Sequence, residues 1–292
     1  MSTVGTLLNQ AQEHAMRILH ISTNDILGGA ARAAYGLHTG LNRQGRGSSM
    51  LVAHRSSNDP AVTAFRPPIW PSVLLRLPGL LRQGLHWHLV GQFRDKPSGD
   101  DEPFSDSSSP FGSAVVRQLP AADVINLHWI AGFVDQRSFF SRVPQSVPVF
   151  WTLHDMNAFT GGCHYDEGCG KYELSCGACP QLDSGKSGDL SRRIWLRKRK
   201  AFAQVAPGQL HFVSPSRWLA KALSRSSLLS DRPVTVIPYG VDVDDFAPRD
   251  RGFARKVLGI PQDAAVVLFV ADSLENRRKG FPLLMEALAR AR

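Results

Sequence analysis

The chain has 292 residues, 43% of them hydrophobic, which is enough for a core of ordinary size in one large or two medium domains. A formal net charge of +9 favours acidic partners: phosphate-bearing small molecules, an anionic membrane surface or nucleic acid. No RNA-binding signature, zinc-finger pattern or helix-turn-helix pattern occurs, so nucleic acid is set aside, and no run of 18 apolar residues marks a transmembrane helix.

Residues 1–15 lack a continuous apolar segment and do not read as a secretory signal; they are expected to be a disordered extension, or translation begins at Met16. A cytoplasmic location follows, with cysteines as thiols or metal ligands rather than disulfides. Arg17–Ser22 (RILHIS) reads as a strand. A Gly28-Gly29 turn and a helix with Ala30, Ala34, Leu37 and Leu41 on one stripe come next, with Gly45 as its stop. The glycines either admit a ligand close to the backbone at a helix N-terminus or serve a tight turn. Ser49–His54 is the next strand. Residues 67–93 carry a Leu stripe (Leu74, Leu77, Leu81, Leu85) flanked by Trp70, Trp87 and arginines, fitting a helix on its own core or one lying on a membrane. Residues 95–113 read as a polar surface loop.

Further strands are expected at Asp123–Trp129, Val149–Leu153, Gln209–Ser214, Val234–Pro238 and Ala265–Ala271. Helices are expected at Ser216–Arg225, Ala254–Leu258 and after Gly280, the last with Leu284, Leu288 and Ala291 on its face. Strands alternating with helices predict an α/β protein with a parallel sheet.

The stretch 148–180 organises the chemistry. His154 and Asp155 follow a strand, where ligands of open parallel sheets bind. A neutral imidazole there can hydrogen-bond a substrate hydroxyl, with the carboxylate holding its tautomer or a second hydroxyl; alternatively the pair caps the loop. All four cysteines, Cys163, Cys169, Cys176 and Cys179, fall in the following loop as C-x5-C-x6-C-x2-C. That spacing admits a structural zinc, an iron–sulfur cluster, two disulfides or packed thiols. Arg277, Arg278 and Lys279 precede the last helix, where a lysine can bind phosphate together with the helix N-terminus; a solvated basic cluster is the plainer reading. The basic run Arg192, Arg193, Arg197, Lys198, Arg199 and Lys200 reads as a solvated helix face or a lipid-docking one.

The segments RILHISTNDILGGAARAA, DVINLHWIAGF, PVFWTLHDMNAFTGGCHY, CGACPQL, VSPSRWLAKAL, VTVIPYGVDVDDFAP and FVADSLENRRKGF resemble retaining glycosyltransferases of family 4 with the GT-B fold, of the bacterial colanic-acid and exopolysaccharide type. The resemblance implies two Rossmann-like domains, an acceptor-side domain over residues 16–240 and the truncated start of a nucleotide-sugar-binding domain over 241–292. It implies transfer of a hexose from a nucleotide diphosphate sugar to a glycan or lipid-linked glycan, without a catalytic metal, by a cytoplasmic enzyme that is peripheral on the membrane's inner face. Lys279 matches the lysine that contacts the donor diphosphate, with Arg277 or Arg278 standing in for an absent arginine. His154 matches the histidine reaching the donor sugar, and Gly28 and Gly29 match a cleft-lining loop. The family's E-x7-E element does not occur. A second domain takes on the order of 150 residues and 52 follow Gly240, so the chain is expected to be a truncated, inactive form, or a non-catalytic glycan- or nucleotide-binding fragment.

Overall fold

A computed structural model describes residues 16–68 and 102–291. The extension 1–15, the Leu/Trp/Arg stretch from residue 69 on and residues 95–101 of the expected loop 95–113 lie outside the described residues. The described chain divides into two compact units, one of residues 16–68 and 104–239, the other of residues 102–103 and 240–291.

The first unit is built on a seven-stranded parallel sheet, as the alternation of strands and helices requires. Its strands are β1 (Arg17–Asn24), β2 (Gly47–His54), β3 (Val62–Ala64), β4 (Val124–Leu127), β5 (Val149–Thr152), β6 (Leu210–Ser214) and β7 (Val234–Val236), in spatial order 3-2-1-4-5-6-7. This is a Rossmann-like α/β order, with the chain reversing direction of travel between β1 and β4. The register sets His20 of β1 opposite Met50 on one side and Asn126 of β4 on the other, and Leu127 opposite Trp151 of β5. Central strands of such a sheet are covered on both faces, which is why they read as near-continuous apolar runs.

Helix α1 (Gly29–Arg43) follows β1. Gly28 precedes it at φ 94°, a conformation that favours glycine, and Gly45 at φ 71° ends it. The stripe that α1 buries, Ala31, Ala34 and His38, shares Ala34 with the expected one but not Leu37, which is 42% exposed. Small residues let the helix lie close to the sheet, and His38 is buried because its ring meets Ser48 and Asp59. Short helices α2 (Ala114–Arg117) and α3 (Gln136–Phe140) were not legible from periodicity; α3 is capped by Asp135, whose side chain accepts from the Ser138 N–H. Helices α4 (Leu190–Phe202) and α5 (Arg217–Ser224) are capped in the same way by Asp189 and Ser216. The main core lies on the sheet face that holds Leu19, Ile21, Leu127, Trp151 and Phe212, packed with Phe133, Phe139 and Phe202.

Helix α4 corrects the reading of the basic run as a solvated face. Ile194, Trp195 and Lys198 are buried, Arg197 pairs with Asp106 at 2.6 Å, and Arg192 and Arg199 lie over the Trp195 ring at 5.0 and 4.9 Å. Arg193, Arg199 and Lys200 are the exposed charges of the run, which leaves a much thinner basic surface than the sequence presents.

In the second unit, α6 (Arg251–Val257) and α7 (Phe281–Arg290) form where helices were expected, but neither buries a residue. A short 3-10 turn, Arg277–Lys279, precedes Gly280 at φ 83°. The expected strand Ala265–Ala271 does not form: the stretch takes no regular structure, and Leu268 and Val270 are 82% and 81% exposed. Its composition is that of a buried strand, but a strand exists only through a neighbour's hydrogen bonds, and the described residues of this unit contain no other strand. Among the described residues no helix is long and apolar enough to cross a membrane.

Candidate functional site

The carboxyl ends of β4 and β5 deliver the site. His128 follows β4 and His154 follows β5, so both emerge at the sheet edge where ligands of this architecture bind. One cavity is lined by His128, Trp129, His154, Asp155, Asn157 and His164 among others.

His154 and Asp155 adjoin in sequence but serve different networks. The His154 ring makes one contact at each nitrogen: Nε2 lies 3.1 Å from His128 Nδ1, and Nδ1 lies 2.6 Å from the Tyr239 hydroxyl. The Tyr239 ring stacks on the imidazole at 5.5 Å between centroids. His128 continues inward, its Nε2 lying 2.9 Å from Nδ1 of His20 in β1. Burial pushes the His154 pKa down to about 4, against the pull of the Asp155 charge. Burial lowers His20 to about 3 with help from His38, and lowers His128 well below the ordinary histidine value, aided by its two histidine neighbours. All three rings are therefore neutral at physiological pH.

Asp155 turns away from His154 to hold the following loop. One oxygen accepts from the Asn157 N–H at 2.8 Å; the other accepts from Trp129 Nε1 at 3.0 Å and from His164 Nδ1 at 2.5 Å. Burial alone would raise its pKa, but the hydrogen bond and charge of His164 and the Asn157 N–H outweigh it, and the carboxyl sits below its ordinary value. His164 accepts at Nε2 from the Ser105 hydroxyl at 3.0 Å. The order Ser105–His164–Asp155 has the connectivity of a hydrolytic triad. However, Ser105 is outside the cavity lining and its backbone N–H is bonded to Gly162 O, so the arrangement orients His164 instead. The tautomer-holding role expected of Asp155 toward His154 thus falls to His128.

The four cysteines line a second cavity together with Phe104, Lys171 and Tyr172. The loop is tightly wound: Cys176 and Ala178 both have positive φ, and Lys171 Nζ donates to the Ala178 carbonyl. The cysteines are unpaired, and burial raises the thiol pKa of Cys163 and Cys179 and pushes Cys176 up to about 11. Among the described residues no group of three or more His, Cys, Asp or Glu is placed to hold a metal ion. Zinc would have to draw the sulfurs inward and displace protons that burial retains.

The other expected site residues are elsewhere. Gly28 and Gly29 open α1 at the end of β1, in open space where an added Cβ would meet nothing within 4 Å. In the second unit, Lys279 pairs with Asp272 at 3.1 Å, and Arg278 Nε donates to Glu102 at 2.6 Å. Arg277 lies in the same turn.

Comparison with known proteins agrees with this architecture. The putative colanic acid biosynthesis glycosyl transferase WcaC of Escherichia coli is 25% identical over 234 residues, covering 78% of this chain and 55% of that protein. The D-inositol 3-phosphate glycosyltransferase of Geodermatophilus obscurus is 48% identical over 59 residues, 20% of this chain and 13% of that protein. The chain is similar to glycosyltransferases. It spans about half the length, or less, of the relatives it matches, and no family model matches it.

His20, Trp129, His164 and Tyr239 carry no signal of their own in the sequence; Lys198 stands there only within the basic run, and His128 only near the end of the expected strand Asp123–Trp129. The available signal was the recurrence of histidines in and just after the strands and in the loop: HIS within β1, LHW after β4, LHD after β5 and CHY in the loop.

Proposed function

We propose that the chain is the acceptor-side part of a hexosyltransferase, with some of the donor side, acting in bacterial surface polysaccharide assembly. The observation that carries this is His154: a neutral imidazole at the carboxyl edge of a parallel sheet, opening into a cavity, in a chain similar over most of its length to a colanic acid glycosyl transferase. The reaction is transfer from a nucleotide diphosphate sugar to a glycan or lipid-linked glycan with retention at the anomeric carbon, as in family 4. His154 orients the hexose through a hydrogen bond. Lys279, at the turn that starts α7, stabilises the departing diphosphate electrostatically, with Arg277 and Arg278 adding positive field. Gly28 and Gly29 leave room beside the α1 N-terminus for an anionic group. The enzyme works in the cytoplasm, next to the membrane that holds a lipid-linked acceptor.

Saturation-transfer binding of a panel of nucleotide sugars, with release of nucleoside diphosphate in the presence of glycan acceptors, tests the reading. Binding of at least one donor is expected. In a chain completed on the donor side, Lys279→Ala should weaken donor binding about tenfold through loss of a charge-assisted contact, while His154→Ala should lower turnover with little change in donor affinity. No binding by any donor across the panel rejects the reading.

A structural zinc at Cys163, Cys169, Cys176 and Cys179 is a separate proposal, supported by the four thiols sharing one cavity. Protein purified under reducing conditions should carry about one zinc per chain. Absence of zinc with four titratable thiols in denaturant excludes it.

A further inference from the structure

The row Tyr239–His154–His128–His20 runs from the surface to the middle of β1, linked at 2.6, 3.1 and 2.9 Å. A neutral imidazole has one N–H and one lone pair. With both nitrogens of His154 and of His128 engaged, every bond in the row must point the same way, so the row has two states and no mixtures.

The ends decide between them. If the donors point outward, His20 Nδ1–H donates to His128 Nε2, His128 Nδ1–H to His154 Nε2, and His154 Nδ1–H to the Tyr239 oxygen. The Tyr239 hydroxyl then donates to the Leu153 carbonyl at 3.3 Å. What is left over is a lone pair on His20 Nε2, which has no hydrogen-bond partner. If the donors point inward, His20 Nε2 carries a buried N–H without an acceptor, and the phenol proton is withdrawn from Leu153. Orphaned buried N–H groups are rarer than under-used acceptors, so the outward state is the stable one. His38, 6.2 Å from His20 between ring centroids, stays outside the row because Ser48 and Asp59 take its nitrogens.

We propose that His20 and His128 are positioning residues that fix His154 as a hydrogen-bond donor through Nδ1, and that the Tyr239 hydroxyl stands in for the substrate hydroxyl which that Nδ1–H serves. His154 Nε2 is closed off by His128, so Nδ1 is the atom left for a ligand, and Tyr239 occupies it. The phenol accepts from Nδ1–H and donates to Leu153 O, the same pair of bonds a sugar hydroxyl makes. Tyr239 is 48% exposed and follows β7 in a segment without regular structure, so its ring can leave without breaking the core. A ligand hydroxyl must displace it. The row therefore predicts which sense of hydrogen bond the site offers: His154 recognises an acceptor oxygen and Leu153 takes that oxygen's proton. The substrate half of this proposal rests on the glycosyltransferase reading; the tautomer half does not.

Two measurements on the full chain separate the halves. Two-bond proton–nitrogen correlation spectra of protein labelled with 15N-histidine report each ring's tautomer. His20, His128 and His154 are expected as Nδ1–H. An Nε2–H signal for His154, or averaging between tautomers, overturns the positioning claim. His128→Asn keeps an N–H donor near the Nδ1 position and should preserve the His154 tautomer; His128→Phe should scramble it while thermal melting shows the protein folded. An unchanged His154 in the Phe variant equally overturns the claim. For the stand-in claim, Tyr239→Phe keeps the stacked ring and removes the competing hydroxyl. Binding of nucleotide sugars by saturation transfer should tighten about three- to tenfold; unchanged or weaker binding overturns it. If no donor binds either form, the functional reading and the stand-in claim fall together, and the spectra still decide the positioning claim.

Discussion

Lys198 donates from its ammonium to the carbonyl of Asn157, inside the protein, with no exposed surface of its own. The bond ties α4 to the loop that follows β5, the loop carrying Asp155 and the first cysteine. Burial lowers the Lys198 pKa to about 8, partly opposed by its neighbours, Asp106 and Asp155 among them. Lys198→Met, close in volume, should leave the Asn157 carbonyl with only a 3.5 Å contact from the Thr160 N–H. The expected loss in urea unfolding at pH 7 is about 1–3 kcal/mol. A lysine with a depressed folded pKa binds fewer protons folded than unfolded between pH 8 and 10.5. Its share of stability therefore rises with pH across that window, and the variant should lack that rise.

Acid should act through the histidine row. His154, His128 and His20 all have folded pKa values depressed below the ordinary 6.5. Unfolded histidines take up protons as pH falls below 6.5 while the folded ones do not. The stability they contribute is complete above that pH and is lost as pH falls toward 4. Each contributes a slope of about 1.4 kcal/mol per pH unit inside the window. Urea midpoints between pH 7 and 4.5 should fall steeply, and His20→Phe should flatten the curve by about one such slope.

Asp155 should behave as an organiser of its loop. Asp155→Asn keeps the shape but removes the charge that receives His164 Nδ1–H and the Trp129 indole N–H. A cost of about 1.5–3 kcal/mol is expected, the range for hydrogen bonds to a charged group. Because the folded pKa is depressed, the carboxylate's contribution is present above 3.8 and disappears as pH falls through the folded value. Wild type and variant should converge in stability at the acid end of the titration.

The cysteine loop should be intolerant of side chains at its glycines. Gly177 sits at φ +111°, and a Cβ there would lie 2.3 Å from the Ser187 carbonyl oxygen. Gly161 would place one 2.4 Å from Ser191 O. Gly177→Ala combines left-handed strain with a backbone clash, and a loss of about 2–4 kcal/mol is expected in thermal or urea melts. Gly185→Ala, with open space around it, is the matched control and should change little.

The strands of the first unit were legible because both faces of a parallel sheet are covered. RILHIS, LVAH, VINL, VFWT and LHFVS are runs that water cannot accommodate. β3 was missed because its three residues, VTA, hold a single apolar β-branched side chain, whereas the equally short β7 sits in the run VTVIP. His154 and Asp155 were found from their place after β5, but the divergence of their side chains was not, since it depends on which partners the fold brings up. Tyr239 arrives from 85 residues away and Ser105 from 59 residues before His164. Lys198 looked like one more charge in a basic run; nothing local distinguishes the lysine whose partner is a carbonyl 41 residues earlier. The stretch 265–271 shows the converse: a strong local preference for strand is without effect where no neighbour is present to pair with it.

That same stretch has a consequence for the life of the polypeptide. AVVLFVA is a neutral, β-prone heptamer without proline, and its backbone groups and most of its side chains are open to solvent. Such a segment is what holdase chaperones grip and what quality-control proteases thread first. Val266→Lys, which breaks the apolar run at an exposed position, should lower the chain's tendency to aggregate without touching the sheet of the first unit.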